Sequence, residues 1–552
     1  MFRTEKPWVH VYEGHVSPET EVFEGSLPDF FRSSVEEHRD KTAMTFYGTA
    51  FDFARLEALA EKMAASLAAC GVKKGDRVAL MLPNCPQYVA SFFATVRLGA
   101  IVTQINPMYV EREIEHILKD SGAETIVVYS DMYPRVKNVM GETALKNVVV
   151  VDLKGEPEGL EPGHSSFGEF IGADVEPAPR VEIDAAEDVA VFQYTGGTTG
   201  VSKGAMLTHR NLVANVQQTL DLFVDDPAAF SNNQSIVAIL PFFHIYGLTC
   251  VMLFGIRQGL NQLLLPRFDP LEVMNLVRDD EPVLFAGVPT MYMALNSLGV
   301  DLKEYSFDKV RTYNSGGSAL PVNLKRSFEQ KIGRTLFEGY GLSEASPVTH
   351  FNPPFAGESR EGSIGVPVPS TDARIVDVGT GAQELPVGEP GELVIKGPQV
   401  MKGYWNMPEE TEDTLKDGWL YTGDVARMDE DGYFYIVDRK KDMIVAGGYN
   451  VYPREIEEVL FEHEDVAEAV AIGIADEYRG ETVKAFVVRM QGSGVTEEEI
   501  LAFCKERLAP YKAPKSVEFR DELPKSTVGK LLRRVLVDEE RAKMASSTTN
   551  PS

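Results

Sequence analysis

Between Tyr194 and Gly204 the chain reads Tyr-Thr-Gly-Gly-Thr-Thr-Gly-Val-Ser-Lys-Gly, directly after the apolar run Val189 to Phe192. Gly196 and Gly197 free the backbone to turn N–H groups toward an anion, Thr195, Thr198 and Thr199 add hydroxyl donors, and Lys203 adds positive charge. Together they make a cradle for a polyphosphate. A plain surface turn gains nothing from three hydroxyls and a lysine. The spacing also differs from a Walker A loop: counted from Gly197, Ser202 stands where the second glycine belongs and Gly204 where the hydroxyl belongs.

Further strings follow along the chain: Pro241-Phe242-Phe243-His244, Asn314-Ser315-Gly316-Gly317-Ser318, Glu338-Gly339-Tyr340-Gly341-Leu342-Ser343-Glu344, Tyr421-Thr422-Gly423-Asp424, Asp438-Arg439-Lys440-Lys441-Asp442 and Pro524-Lys525-Ser526-Thr527-Val528-Gly529-Lys530. Singly, each has an ordinary reading. Glu344 is a surface carboxylate, Asp424 a Gly-Asp turn, Lys530 a solvated lysine and His244 a satisfied structural histidine. In this order, and with the phosphate cradle, the strings resemble the adenylate-forming superfamily of acyl-CoA synthetases, firefly luciferase and peptide-synthetase adenylation domains. Asp438 to Ile444, followed by Gly448-Tyr449-Asn450-Val451-Tyr452-Pro453, most resembles bacterial long-chain fatty acid–CoA ligases.

The resemblance implies a ligase that joins a carboxylate to AMP from ATP with loss of pyrophosphate, then passes the acyl group to a thiol. It assigns Thr195, Gly196, Gly197, Thr198, Thr199, Lys203 and Ser343 to the ATP phosphates and Glu344 to Mg²⁺. Ser343 stands where threonine is usual and keeps the oxygen. Gly316, Gly317, Ser318, Gly339 and Tyr340 are similar to an adenine shelf, Asp424 to the group that accepts the ribose hydroxyls, and Arg439 to its neighbour. Lys530 is expected to bridge the acid and the α-phosphate, with Glu344 and His244 as the other catalytic residues. Lys441 falls at a hinge, and Gly447, Gly448 and Tyr449 at the approach of CoA. Lys512, Lys515 and Lys525 are either CoA contacts or a solvated face.

No acidic residue stands in Phe242-Phe243-His244 to meet an amino acid's ammonium, and no carrier-protein GGxS serine follows Lys530, which favours a fatty acid and free CoA. A 4-coumarate-like aryl acid–CoA ligase and a fatty acyl-AMP ligase serving a carrier protein are the alternatives.

Charged turns need elements to hold them. Leu56, Leu59, Ala60, Met63 and Leu67 recur at helical spacing, Val78 to Leu82 suits a buried strand, Pro86 to Ala100 a helix, Thr125 to Tyr129 a strand, Leu271 to Asp279 a helix and Val283 to Ala286 a strand. Such alternation predicts parallel sheets covered by helices. Short β segments at Ala373 to Val378, Glu392 to Lys396 and Tyr433 to Val437 predict a β-rich subdomain over about 367–437. Beyond it, Pro453 to Leu460 and Thr496 to Leu508 read as helices and Ala467 to Ile474 and Val483 to Met490 as strands. The expected fold class is α/β: an adenylation body over 1–437 of two α/β subdomains plus the β-rich one, a hinge at 438–441, a smaller mobile α+β lobe over 442–544 and a disordered tail at 545–552.

At 552 residues the chain is too long for a single binding module, and its 44% hydrophobic and 25% charged residues are those of a folded protein. The net charge of −29 repels nucleic acid as a bulk partner. Cys70, Cys85, Cys250 and Cys504 lack metal or disulfide spacing. With no signal-like apolar segment, a cytoplasmic protein is expected, as monomer or homodimer, with transient peripheral membrane contact left open.

Overall fold

The computed structural model describes residues 6–195, 202–223, 234–356, 359–446, 449–476, 480–526 and 531–548, the side chains of 544–548 excepted. Two large sheets form its body. One has nine strands, with Thr42–Phe46, Asn261–Leu264, Ser235–Ala238, Leu284–Gly287, Thr312–Ser315 and Leu336–Gly341 running parallel through its middle and antiparallel strands at both edges. The other has eight strands. Val189–Thr195, Ile101–Gln104, Arg77–Met81, Thr125–Tyr129 and Asn147–Val151 run parallel, and Lys203–Thr208 returns antiparallel beside Val189–Thr195.

The expected helices form at Phe53–Ala69, Pro86–Arg97 and Pro270–Asp280. Their starts follow from local chemistry. Asp52 accepts the Arg55 N–H at 2.7 Å, and Asp269 accepts those of Leu271 and Glu272. The expected strands at 78–82, 125–129 and 283–286 appear within a residue or so of those bounds.

A five-stranded antiparallel sheet comprises Asp372–Val376, Gly391–Lys396, Leu415–Lys416, Trp419–Met428 and Phe434–Arg439. Its Ile375, Leu393, Ile395, Leu420 and Phe434 join the same buried apolar cluster as Phe30, Phe92 and Phe285. A fourth sheet carries Val466–Asp476 against Gly480–Arg489, flanked by helices Pro453–Phe461 and Glu497–Arg507, and buries Ile444, Ile456, Ala485 and Ile500 in a separate cluster. Thr496 and Glu499 cap the second of these helices reciprocally. The final helix, Arg533–Thr548, which periodicity did not reveal, runs into the stretch expected as a tail. Among the described residues no helix is long and apolar enough to cross a membrane.

Candidate active site

The candidate residues cluster where strands of the two large sheets end. Thr195 closes Val189–Thr195, Gly316 follows Thr312–Ser315, Ser343 and Glu344 follow Leu336–Gly341, and His244 lies beyond Ser235–Ala238. Loops at the carboxyl ends of parallel strands carry backbone groups that no ladder consumes, which makes them the usual ligand site of such sheets. Gly196, Gly197, Thr198, Thr199, Gly447, Gly448 and Lys530 lie outside the described residues.

The stems of the expected phosphate loop are held from several sides. Thr195 pairs across the hairpin with Lys203, the Tyr194 hydroxyl donates to Asp120 at 2.6 Å, and His116 Nε2 contacts the Ser202 carbonyl at 2.9 Å. Lys203 is buried, its ammonium paired with Glu410 and lying 5.3 Å over the ring of Tyr404. The Tyr404 hydroxyl in turn donates to Glu344 Oε1 at 2.7 Å. Burial, reinforced by the Glu344 carboxylate, pushes the Tyr404 phenol up, so it remains the donor. One aromatic side chain thus touches the cation and the carboxylate that the sequence set 141 positions apart.

A second group gathers around Asp424 and Tyr340. Asp424 pairs across strands with Arg439, whose Nε lies 3.6 Å from Oδ1, while the Tyr340 hydroxyl donates to Oδ2 at 2.5 Å. Gly316 is closed by the ring of Tyr246: a Cβ there would sit 3.2 Å from it. Gly317 is exposed at φ +79, and a Cβ on Gly339 would strike Phe351 at 2.7 Å. Small residues therefore stand where backbone and ring edges approach. His244 accepts the Tyr246 N–H on Nδ1 at 3.2 Å and caps the short turn after it, so it has a structural duty.

Among the described residues no group of three or more His, Cys, Asp or Glu could hold a metal alone. Magnesium needs no such cage. It takes one or two carboxylates with nucleotide phosphates and waters, and Glu344 is a carboxylate of that kind.

Residues 31–405 match the AMP-binding enzyme family, and residues 455–530 match the AMP-binding enzyme C-terminal domain. The chain belongs to the AMP-binding enzyme family. It is 44% identical over 558 residues to the long-chain-fatty-acid–CoA ligase of Bacillus subtilis, covering 98% of this chain and 99% of that protein. A long-chain-fatty-acid–CoA ligase of Escherichia coli is 40% identical with the same coverage, and 4-coumarate–CoA ligase 2 of Petroselinum crispum is 35% identical over 99% of this chain and 97% of its own. ATP-bound MatB from Rhodopseudomonas palustris superposes with a TM-score of 0.84 at 31% identity, covering 93% of this chain and 98% of that one.

Within this AMP-binding enzyme, sequence reasoning passed over Tyr404 and Glu410. Tyr404 and Glu410 stand in a stretch that reads only as punctuation between strands, and nothing local marks their partners. Lys441 is exposed one step past the Lys440–Glu392 ion pair of 2.9 Å, which fastens the turn at Gly423. Exposed Tyr449 stacks on Tyr511 at 4.5 Å. Lys512 is paired with Glu455 and Lys525 with Glu468.

Proposed function

We propose that this AMP-binding enzyme is a fatty acid–CoA ligase. In the first step a fatty acid carboxylate attacks the α-phosphorus of ATP, forming acyl-AMP as the bond to pyrophosphate breaks. In the second the CoA thiol, losing its proton, attacks the acyl carbon and releases AMP. The pairing of Lys203 and Glu344 through Tyr404 is the observation that carries the reading, because it presents a fixed cation beside a carboxylate at the phosphate loop. Lys203 would exchange the half-exposed Glu410 for phosphate oxygens, one anion for another. A Mg²⁺ ion would be held by Glu344 with the nucleotide oxygens and would neutralise charge between them.

Asp424, steadied by Tyr340 and Arg439, accepts the ribose hydroxyls, and Gly316, Gly317, Ser318 and Gly339 take the adenine. Lys530 bridges acid and phosphate, so two like charges approach in line at low cost. Long-chain-fatty-acid relatives at 39–44% identity over nearly the whole chain support a fatty acid over an aryl acid. The segment beyond His244, Ile245 to Phe254, carries no charged side chain to meet a polar substrate. The body at 1–437 and the lobe at 442–544 turn about 438–441 between the steps, bringing Gly447, Gly448 and Tyr449 to the thiol.

The purified chain, given fatty acids of increasing length with ATP, Mg²⁺ and CoA, is expected to release AMP and pyrophosphate and to form acyl-CoA. Formation of ADP, or turnover indifferent to CoA, would refute it.

A further inference from the structure

The turn that presents His244 belongs to the nine-stranded sheet, yet side chains from the other sheet and its helix hold it. Asn84 donates to the Ala238 and Leu240 carbonyls, both at 2.9 Å, and accepts the Phe242 N–H at 2.8 Å. The Tyr88 hydroxyl donates to the Phe242 carbonyl at 2.8 Å, with Gln104 Nε2 at 3.4 Å from the same oxygen. Gln193 Nε2 donates to the Phe243 carbonyl at 3.2 Å. Thr103 pairs with Phe192, so Gln104 and Gln193 stand side by side on neighbouring parallel strands.

Gln193 differs from the others in its place. It lies on the strand that ends two residues later in Thr195, at the root of the phosphate loop, and it grips the carbonyl directly before His244. Like Gln104 it is buried, at 4% exposed, and its Oε1 has no partner among the described residues. A buried amide with an orphaned oxygen is a liability to stability. Asn84 and Tyr88 already anchor the turn through Phe242, so stability does not call for the added bond. What the bond supplies is a fixed span between the root of the phosphate loop and the turn beside the reacting acid.

We propose that Gln193 is a positioning residue for adenylate formation, setting the distance between the His244 turn and the phosphate loop. The inference rests on the ligase reading above. It deepens that reading by assigning alignment of the two reactants to one side chain, since small misplacements of reacting groups cost large factors in rate.

The test is Gln193→Met, which keeps the volume and removes the donor. Fatty acid-dependent ATP–pyrophosphate exchange should lose about 10- to 100-fold in kcat with KM for ATP within about twofold. Thioester formation from supplied acyl-AMP should hold its parental rate, and the thermal midpoint should stay or rise as the orphaned oxygen goes. Gln104→Met should lose less than about threefold, because Tyr88 still holds the Phe242 carbonyl. Gln193→Asn, which keeps the amide one methylene short of Phe243, should lose adenylation as Gln193→Met does, and serves if that variant fails to fold.

A kcat within twofold of the parent overturns the proposal. So does an equal loss in both half-reactions with a lowered midpoint, or a Gln104→Met loss as large as that of Gln193→Met. A parental protein that makes no acyl-AMP from any fatty acid refutes the ligase reading itself, and the proposal with it.

Discussion

The body and the C-terminal lobe are built alike inside and joined differently. Within the body, one apolar cluster runs through both large sheets and into the β-rich sheet as far as Phe434. The lobe buries its own residues, Ile444 to Val517, in a cluster apart. The seam between them is polar. Arg454 donates to the Ile436 carbonyl at 2.9 Å and its N–H to Asp438 at 2.8 Å, Asn323 donates to the Phe461 carbonyl at 3.0 Å, and buried Glu338 faces Arg454. Separating an apolar core exposes its whole area to water, whereas polar contacts exchange for water at little net cost. The contrast teaches where separation would cost least: the body's sheets are locked to one another by a shared apolar core, and the lobe meets the body through polar contacts that water can replace.

Four measurements would break or sharpen that contrast. The largest effect is expected from Lys530→Ala in the lobe, which should cut adenylate formation by at least about 10²- to 10³-fold while supplied acyl-AMP still reacts with CoA. Equal loss of both steps, measured separately, would place Lys530 outside the first reaction. Next, Lys441→Pro stiffens the joint. Pyrophosphate release should remain measurable while acyl-CoA formation falls by about tenfold or more, and an unchanged overall rate would rule out turning there.

Within the locked body, Tyr404→Phe removes one hydrogen bond to a charged group and keeps the ring under Lys203. Adenylation should drop about tenfold and need more Mg²⁺, with an unaltered thermal midpoint. A lowered midpoint with an unshifted Mg²⁺ titration would make the contact merely architectural.

The smallest effect concerns the seam. Burial pushes Glu338 up to about 7, with Arg454 pulling the other way. A carboxyl with a raised folded-state pKa gives stability that is complete below its unfolded value of 4.5 and is lost as pH rises through about 7. Relative to Glu338→Gln, the parent's thermal midpoint should therefore decline between about pH 4.5 and 7 and run parallel above. A constant difference across that range would mean Glu338 ionises normally.

Much of the frame was legible because its causes are local. The helix at Phe53–Ala69 follows from apolar spacing and an Asp52 cap, and Thr496 and Glu499 announce the helix they cap. The helix Arg533–Thr548 went unseen because seven of its sixteen residues are charged and its apolar residues Val535, Leu536 and Val537 run together without a helical period. Half-buried Arg533 at its start is held instead by Asp442 and Glu457, 91 and 76 positions away.

The site divides in the same way. Glycines, hydroxyls and a lysine crowded into one loop state their chemistry in the order of the chain, since backbone freedom and charge density are properties of neighbours. The rest came from packing. That Tyr404 serves both Lys203 and Glu344, that Tyr340 steadies Asp424, and that Gln193 reaches across to the Phe243 carbonyl depend on which strands lie side by side and in what register. A one-residue slip in those strands would turn each of these side chains to the opposite face, and no local pattern encodes the partner waiting there.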